Sequence, residues 1–160
     1  DATPMWHDRG DGSFRPLGAA LYLFTDQPVA KLADQSAKFP EAAPEVNYIG
    51  RGYSIDAASG RPVFLSAYEG LELEHKIYPD DENRLLTQEI VVKKGQPENI
   101  YFKLAEGSDI KQLPDGTWAV DDDNYYIRVA AGTTPIVRDS NGKKELVAVL
   151  SQTLKYSIIW

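Results

Sequence analysis

From residue 46 to the end of the chain, apolar side chains recur at every second position, and short turn sequences interrupt the runs. A period of two is typical of an extended strand, whose successive side chains point to opposite faces. The turn at Asn141-Gly142 is the clearest, because both residues tolerate a positive φ. The pattern predicts strands over 46–56, 61–68, 71–78, 85–93, 100–105, 110–113, 117–120, 124–130, 136–138, 144–150 and 154–160.

Short connections restrict how these strands can assemble. A parallel crossover needs about a dozen or more connecting residues, and no connection after residue 45 reaches that length. We therefore expect an all-β fold, an antiparallel β-sandwich of about ten to twelve strands with short turns, with an open barrel as the alternative.

The first 45 residues are patterned less regularly. Glycine and proline are frequent in residues 1–16, which predicts an irregular N-terminal arm before a single β-sandwich domain over 17–160. Residues 18–25 (GAALYLFT) alternate as a strand does. The segment 29–39 is compatible with a short helix, which the prolines after it would stop.

Composition excludes several classes of site and partner. The 160 residues include no cysteine, so disulfides, thiolate metal sites and covalent c-type haem attachment are excluded. The formal net charge of −7 argues against nucleic acid, which is bound by lysine and arginine. No apolar run approaches the roughly 20 residues that span a bilayer, so we expect no membrane span.

Three residues are weak candidates for binding a metal. Met5 and His7 offer a thioether and an imidazole, ligands that copper or haem iron accepts. His75 is the second histidine, and it follows Leu71 and Leu73 on an apolar strand face. We therefore expect His75 to be a hydrogen-bonded core residue, and whether it meets His7 in space stays open.

Two acidic runs, 80–83 (DDEN) and 121–124 (DDDN), contain the hard oxygen ligands that calcium prefers. Solvated turns explain them equally well, so a structural calcium ion is an alternative and no other cofactor is expected. The chain lacks a recognisable nucleophile elbow, phosphate-binding loop or zinc-protease motif. We therefore expect no enzymatic activity from this chain, with no catalytic residues to name.

Several aromatic side chains alternate with the aliphatic residues of their strands. Tyr22, Tyr78 and Tyr101 are the candidate ligand-binding residues, because sugar rings stack their C–H faces on aromatic rings. The other interpretation is that these rings cover a second layer of core.

Several segments together resemble an accessory all-β domain of large exported bacterial proteins, which fuse a pyrroloquinoline-quinone-type sugar dehydrogenase propeller to a c-type cytochrome. The resemblance covers roughly residues 17–160. It rests on 50–56 (GRGYSID), 60–64 (GRPVF), 71–74 (LELE), 100–107 (IYFKLAEG) and 118–122 (WAVDD).

The resemblance implies a periplasmic or extracellular location, with neighbouring redox domains and glycans as partners. Without a Cys-x-x-Cys-His motif, this chain is not the cytochrome part. We therefore expect a non-catalytic accessory module of an exported redox or carbohydrate-active protein, with glycan binding as its activity. The alternatives are a structural or protein-docking domain without a small ligand, and a metal- or haem-associated electron-transfer accessory.

Overall fold

The computed structural model describes residues 2–7, 11–16, 23, 28–40, 48–80 and 82–160, the first two ranges by their backbone. The described residues contain fourteen strands and no helix, which confirms the all-β class. Thus no helix in this part of the chain is long and apolar enough to cross a membrane. The strands are β1 (Ala2–His7), β2 (Asp11–Pro16), β3 (Val29–Lys31), β4 (Ile49–Ile55), β5 (Pro62–Tyr68), β6 (Leu71–Asp80), β7 (Leu85–Lys94), β8 (Ile100–Gly107), β9 (Ile110–Gln112), β10 (Trp118–Val120), β11 (Tyr125–Val129), β12 (Ile136–Ser140), β13 (Lys143–Val149) and β14 (Thr153–Ile159).

Twelve of these strands form two antiparallel sheets. The larger sheet has eight strands in the order β4-β5-β6-β7-β14-β11-β10-β9, and the smaller has four in the order β12-β13-β8-β3. Neither sheet closes on itself, so the architecture is the expected sandwich and not the alternative barrel. Strands β1 and β2 pair with each other as a separate hairpin.

The main core lies between the two sheets. Leu73, Ile90 and Leu154 project from neighbouring strands of the larger sheet. They meet Leu104 and Leu146 of the smaller sheet in one cluster, and each of the five is at most 1% exposed. Burial of one such side chain contributes about 1.5–3 kcal/mol, so this layer supplies the main force that joins the sheets.

A loop over residues 32–40 covers the outer face of the smaller sheet. Leu32 and Phe39 of this loop pack with Ala30, Tyr101 and Val147 in a second buried cluster. The smaller sheet is therefore buried on both faces, which the larger sheet is not.

The structure bears on two expectations for the N-terminal part. The arm predicted over 1–16 contains the paired strands β1 and β2, whose backbones pair from Ala2 and Pro16 to His7 and Asp11, and its division from a single domain over 17–160 stays a prediction. The helix expected within 29–39 is the short strand β3 and a loop, because the edge of β8 offers backbone hydrogen-bond partners there. The strand expected over 18–25 lies outside the described residues except for Leu23, whose carbonyl accepts a hydrogen bond from the Glu106 N–H.

Candidate functional site

A small, solvent-open cavity of about 50 Å³ lies where β4 turns into β5 beside β6. Val63 and Lys76 are directly opposite each other in the register of β5 and β6. Tyr78 follows Lys76 by two positions and so projects from the same face of the sheet. An apolar wall, an ammonium group and an aromatic ring therefore meet at one place. The full lining is Asp56, Ser59, Arg61, Pro62, Val63, Lys76, Ile77 and Tyr78.

The turn between β4 and β5 is held by the Asp56 side chain. Its Oδ2 atom accepts hydrogen bonds from the Ser59 N–H at 2.8 Å and the Ser59 hydroxyl at 2.6 Å. The Gly60 N–H donates to the Asp56 carbonyl, and Gly60 adopts a φ of +69°, which glycine tolerates without strain. The Ser59 hydrogen bonds, with help from the positive charge of Lys76, lower the pKa of Asp56. The turn thus carries a fixed carboxylate at neutral pH.

Tyr78 is held in place by residues of β7 and β14. Its hydroxyl donates to Oε2 of Glu89 at 3.1 Å, and the Nζ atom of Lys155 lies 5.8 Å from its ring centroid. Desolvation raises the pKa of Tyr78, and the carboxylate of Glu89 raises it further. The phenol is therefore neutral at physiological pH, and the half-buried ring is a neutral aromatic surface beside the cavity.

Arg61 is the least neutralised charged residue of the cavity. Its side chain is half-buried, yet within the described ranges its guanidinium has no hydrogen bond or ion pair. Lys76, by comparison, lies 3.9 Å from Glu74. The cavity can therefore offer up to five N–H donors of one guanidinium to a ligand.

The three aromatic candidates from the sequence have different environments. Tyr78 lines the cavity. Tyr101 is 6% exposed and belongs to the second buried cluster, so its ring is core and has no open face for stacking. Tyr22 lies outside the described residues. Of the three, the structure therefore places one at a candidate site.

His75 lies at the edge of the main core, on the face of β6 opposite to Lys76 and Tyr78. Its ring centroid is 6.3 Å from that of Phe102. Its Nε2 atom is buried without a hydrogen-bond partner among the described residues, so the expectation of a hydrogen-bonded histidine is wrong at this atom. Desolvation lowers the pKa of His75.

The metal candidates are not brought together in the described part of the chain. No group of three or more histidine, aspartate or glutamate side chains there could hold a metal ion. Met5 and His7 lie in β1, for which only the backbone is described. Whether they meet His75 therefore stays open.

The acidic run after β10 has a structural role. Asp121 Oδ1 accepts hydrogen bonds from the Ser108 N–H and hydroxyl at 2.6 and 2.8 Å, and from the Asp109 N–H at 3.1 Å. These bonds join the β8–β9 turn to the end of β10. In the other run, Asp80 accepts hydrogen bonds from the backbone and side chain of Asn83. Both runs therefore contain carboxylates that brace turns.

Two features of the surface escaped the sequence analysis. Arg61 and Asp56 flank a turn, and only the fold of that turn against β6 places them beside Tyr78. Tyr53 and Phe64 are directly opposite each other on β4 and β5, with ring centroids 6.3 Å apart and exposures of 64% and 43%. Their alternation resembles that of core residues, so the sequence pattern alone does not distinguish them from buried residues. Because Phe64 follows Val63, this pair projects from the face opposite to the cavity.

Comparison of the chain with models of known protein families, with curated proteins and with solved structures found no match.

Proposed function

We propose that this domain is a non-catalytic glycan-binding module of an exported redox or carbohydrate-active protein, and that it binds sugar in the cavity beside Tyr78. The observation that carries the proposal is a fixed aromatic ring next to charged hydrogen-bonding groups in one solvent-open cavity. The periplasm or the cell surface is the proposed location, with neighbouring redox domains of the same protein as partners.

The chemistry of the cavity suits a sugar ring. A pyranose has an apolar C–H face that stacks on an aromatic ring, and its hydroxyls both donate and accept hydrogen bonds. Tyr78 supplies the ring, Asp56 supplies acceptors, and Arg61 and Lys76 supply donors. One stacked ring with a few hydrogen bonds corresponds to dissociation constants of about 10 μM to 1 mM, or roughly −7 to −4 kcal/mol.

The residues that line the cavity suit a site that binds a sugar without converting it chemically. Ser59 carries the aliphatic hydroxyl among the described lining residues, and it donates its hydrogen bond to Asp56, whose pKa is lowered. A carboxylate of low pKa is a poor base for activating a serine, and none of the described lining residues is a histidine.

Calorimetry of the purified domain against a broad panel of soluble glycans tests the proposal. The Tyr78→Ala variant is expected to weaken binding at least tenfold while the fold is retained. Tyr53→Ala is the matched control, because it removes an exposed tyrosine from the opposite face of the sheet. Loss of binding in Tyr53→Ala but not in Tyr78→Ala would place the site elsewhere and contradict the proposal.

A protein-docking role is the second candidate, and it is favoured by an exposed apolar surface. Tyr53, Ile55 and Phe64 are 64%, 58% and 43% exposed on β4 and β5, at one edge of the larger sheet. Exposed apolar patches of this kind are typical of interaction sites. If no glycan on the panel binds, docking through this surface becomes the better account.

A further inference from the structure

Arg61 has a charge that the described protein does not neutralise. The side chain is half-buried at the cavity, and within the described residues the guanidinium is without a hydrogen bond or an ion pair. A guanidinium removed from part of its water is best satisfied by a carboxylate or similar anion. The position of Arg61 thus favours a ligand that carries a negative charge.

The carboxylates around the cavity contact groups other than Arg61. Asp56 accepts both hydrogen bonds of Ser59, and Glu89 accepts the hydroxyl of Tyr78. Glu74 lies 3.4 Å from Lys93 and 3.9 Å from Lys76. None of these contacts involves Arg61, so these carboxylates leave its charge unpaired, although the chain as a whole has a net charge of −7.

We propose that the cavity selects a sugar bearing a carboxylate, a hexuronic acid residue, with its carboxylate on Arg61 and its ring on Tyr78. The inference rests on the proposed glycan-binding function and adds the substrate class. A planar guanidinium binds a planar carboxylate through two parallel hydrogen bonds, which Lys76 cannot reproduce. Lys76 adds a second positive charge within the same cavity.

The test uses oligomers of galacturonate, glucuronate and mannuronate, each paired with its fully methyl-esterified form. Esterification keeps the ring and removes the charge. We expect at least one acid to bind the native domain tenfold or more tightly than its ester in calorimetry at low salt. Raising the ionic strength from 50 to 500 mM should weaken binding of the acid and leave that of the ester unchanged, because salt screens charge interactions.

Two arginine variants test which residue causes the preference for the acid over its ester. Arg61→Gln should reduce the ratio between acid and ester to less than about threefold. Arg128→Gln is the matched control, since Arg128 is exposed on β11 of the same sheet and does not line the cavity. It should leave the ratio unchanged. Tyr78→Ala should weaken binding of the acid and the ester alike.

Four results would overturn the inference. Equal binding of every acid and its ester would do so while leaving the glycan-binding proposal intact. A preference for acid that survives in Arg61→Gln would assign the selectivity to another residue. Tighter binding of a sulfated galactan oligomer than of any uronate would make the selected group a sulfate. Absence of binding by all the sugars would reject the glycan-binding function itself, and the inference with it.

Discussion

The Nζ atom of Lys103 lies 2.8 Å from Oε1 of Glu145, and the two side chains are 0% and 3% exposed. Arg138 donates from Nε to the second oxygen of Glu145 at 2.8 Å. The ring of Phe39 covers the group, with Nζ of Lys103 5.1 Å and Cζ of Arg138 5.0 Å from its centroid. One carboxylate therefore joins β8, β13 and β12 beneath the loop over 32–40.

Glu145→Ala is expected to lower the free energy of unfolding by about 3–5 kcal/mol, because it removes the carboxylate partner of buried Arg138 and leaves Lys103 with Glu106, at 3.1 Å, as its carboxylate partner. Urea unfolding followed by circular dichroism measures the change.

The matched control is Glu72→Ala, which removes a carboxylate 3.5 Å from Lys94 where both side chains are at least half exposed. This change is expected to cost about 0–1 kcal/mol, because exposed pairs are screened by water and salt. Similar losses in Glu72→Ala and Glu145→Ala would show that the buried carboxylate does not join the strands.

Substitution of the two described tyrosine candidates should lower the stability of the domain by different amounts. Tyr101→Ala is expected to cost about 3–5 kcal/mol, since it empties a well-packed position between the smaller sheet and the loop over 32–40. Tyr78→Ala removes a half-exposed ring and one hydrogen bond to Glu89, so about 0.5–1.5 kcal/mol is expected. The measurement is the shift of the urea midpoint at constant m-value. A loss for Tyr78→Ala that equals the loss for Tyr101→Ala would make Tyr78 a core residue.

The contrast between these tyrosines marks the limit of sequence reasoning here. Alternation over 46–160 predicted the strands from β4 to β14 closely, because each strand of a sandwich has at least one buried face. Tyr78 and Tyr101 occur in similar patterns. Tyr101 is buried because a loop far away in the sequence covers its sheet. Alternation within a strand does not predict that such a loop packs on the outer face of the sheet.

The candidate site was predictable only in part for the same reason. Tyr78 was identified from the sequence, since it alternates with the aliphatic residues of its strand. Arg61 was not, because its importance depends on how the turn after β4 packs beside β6 and on which carboxylates are already hydrogen-bonded. These are relationships between strands and turns, which a single sequence does not specify.

The isolated domain is expected to show no turnover of sugars, esters or phosphates. Ser59 is the most plausible nucleophile of the cavity, but its hydroxyl donates to a carboxylate of lowered pKa. Such a carboxylate holds the hydroxyl in place without removing its proton. The measurement is product formation on a panel of chromogenic substrates at pH 5, 7 and 9. Activity that disappears in Ser59→Ala and in Asp56→Asn would contradict this prediction.

Stability should fall as the pH drops from 7.5 to 5.5, because of His75. Desolvation lowers the pKa of His75 in the folded state, so its neutral form is favoured there. An unfolded histidine has a pKa near 6.5, so the unfolded state takes up the proton first as the pH falls. The contribution of neutral His75 to the free energy of unfolding is therefore complete above that pH and is lost below it. The loss is at most about 1.4 kcal/mol per pH unit for one proton.

The variant His75→Leu separates this residue from the other titrating groups. It replaces a buried ring whose Nε2 atom lacks a partner in the described structure, so stability should become nearly independent of pH between 5.5 and 7.5. Asp56, Asp80 and Asp121 have lowered pKa values. They therefore contribute to the pH dependence of stability at pH values below about 4, the ordinary range of a carboxylate. His7→Gln is the control for the second histidine and should retain the full pH dependence. An unchanged slope in His75→Leu, or a slope lost in His7→Gln, would show that the buried ring is not the source of the effect.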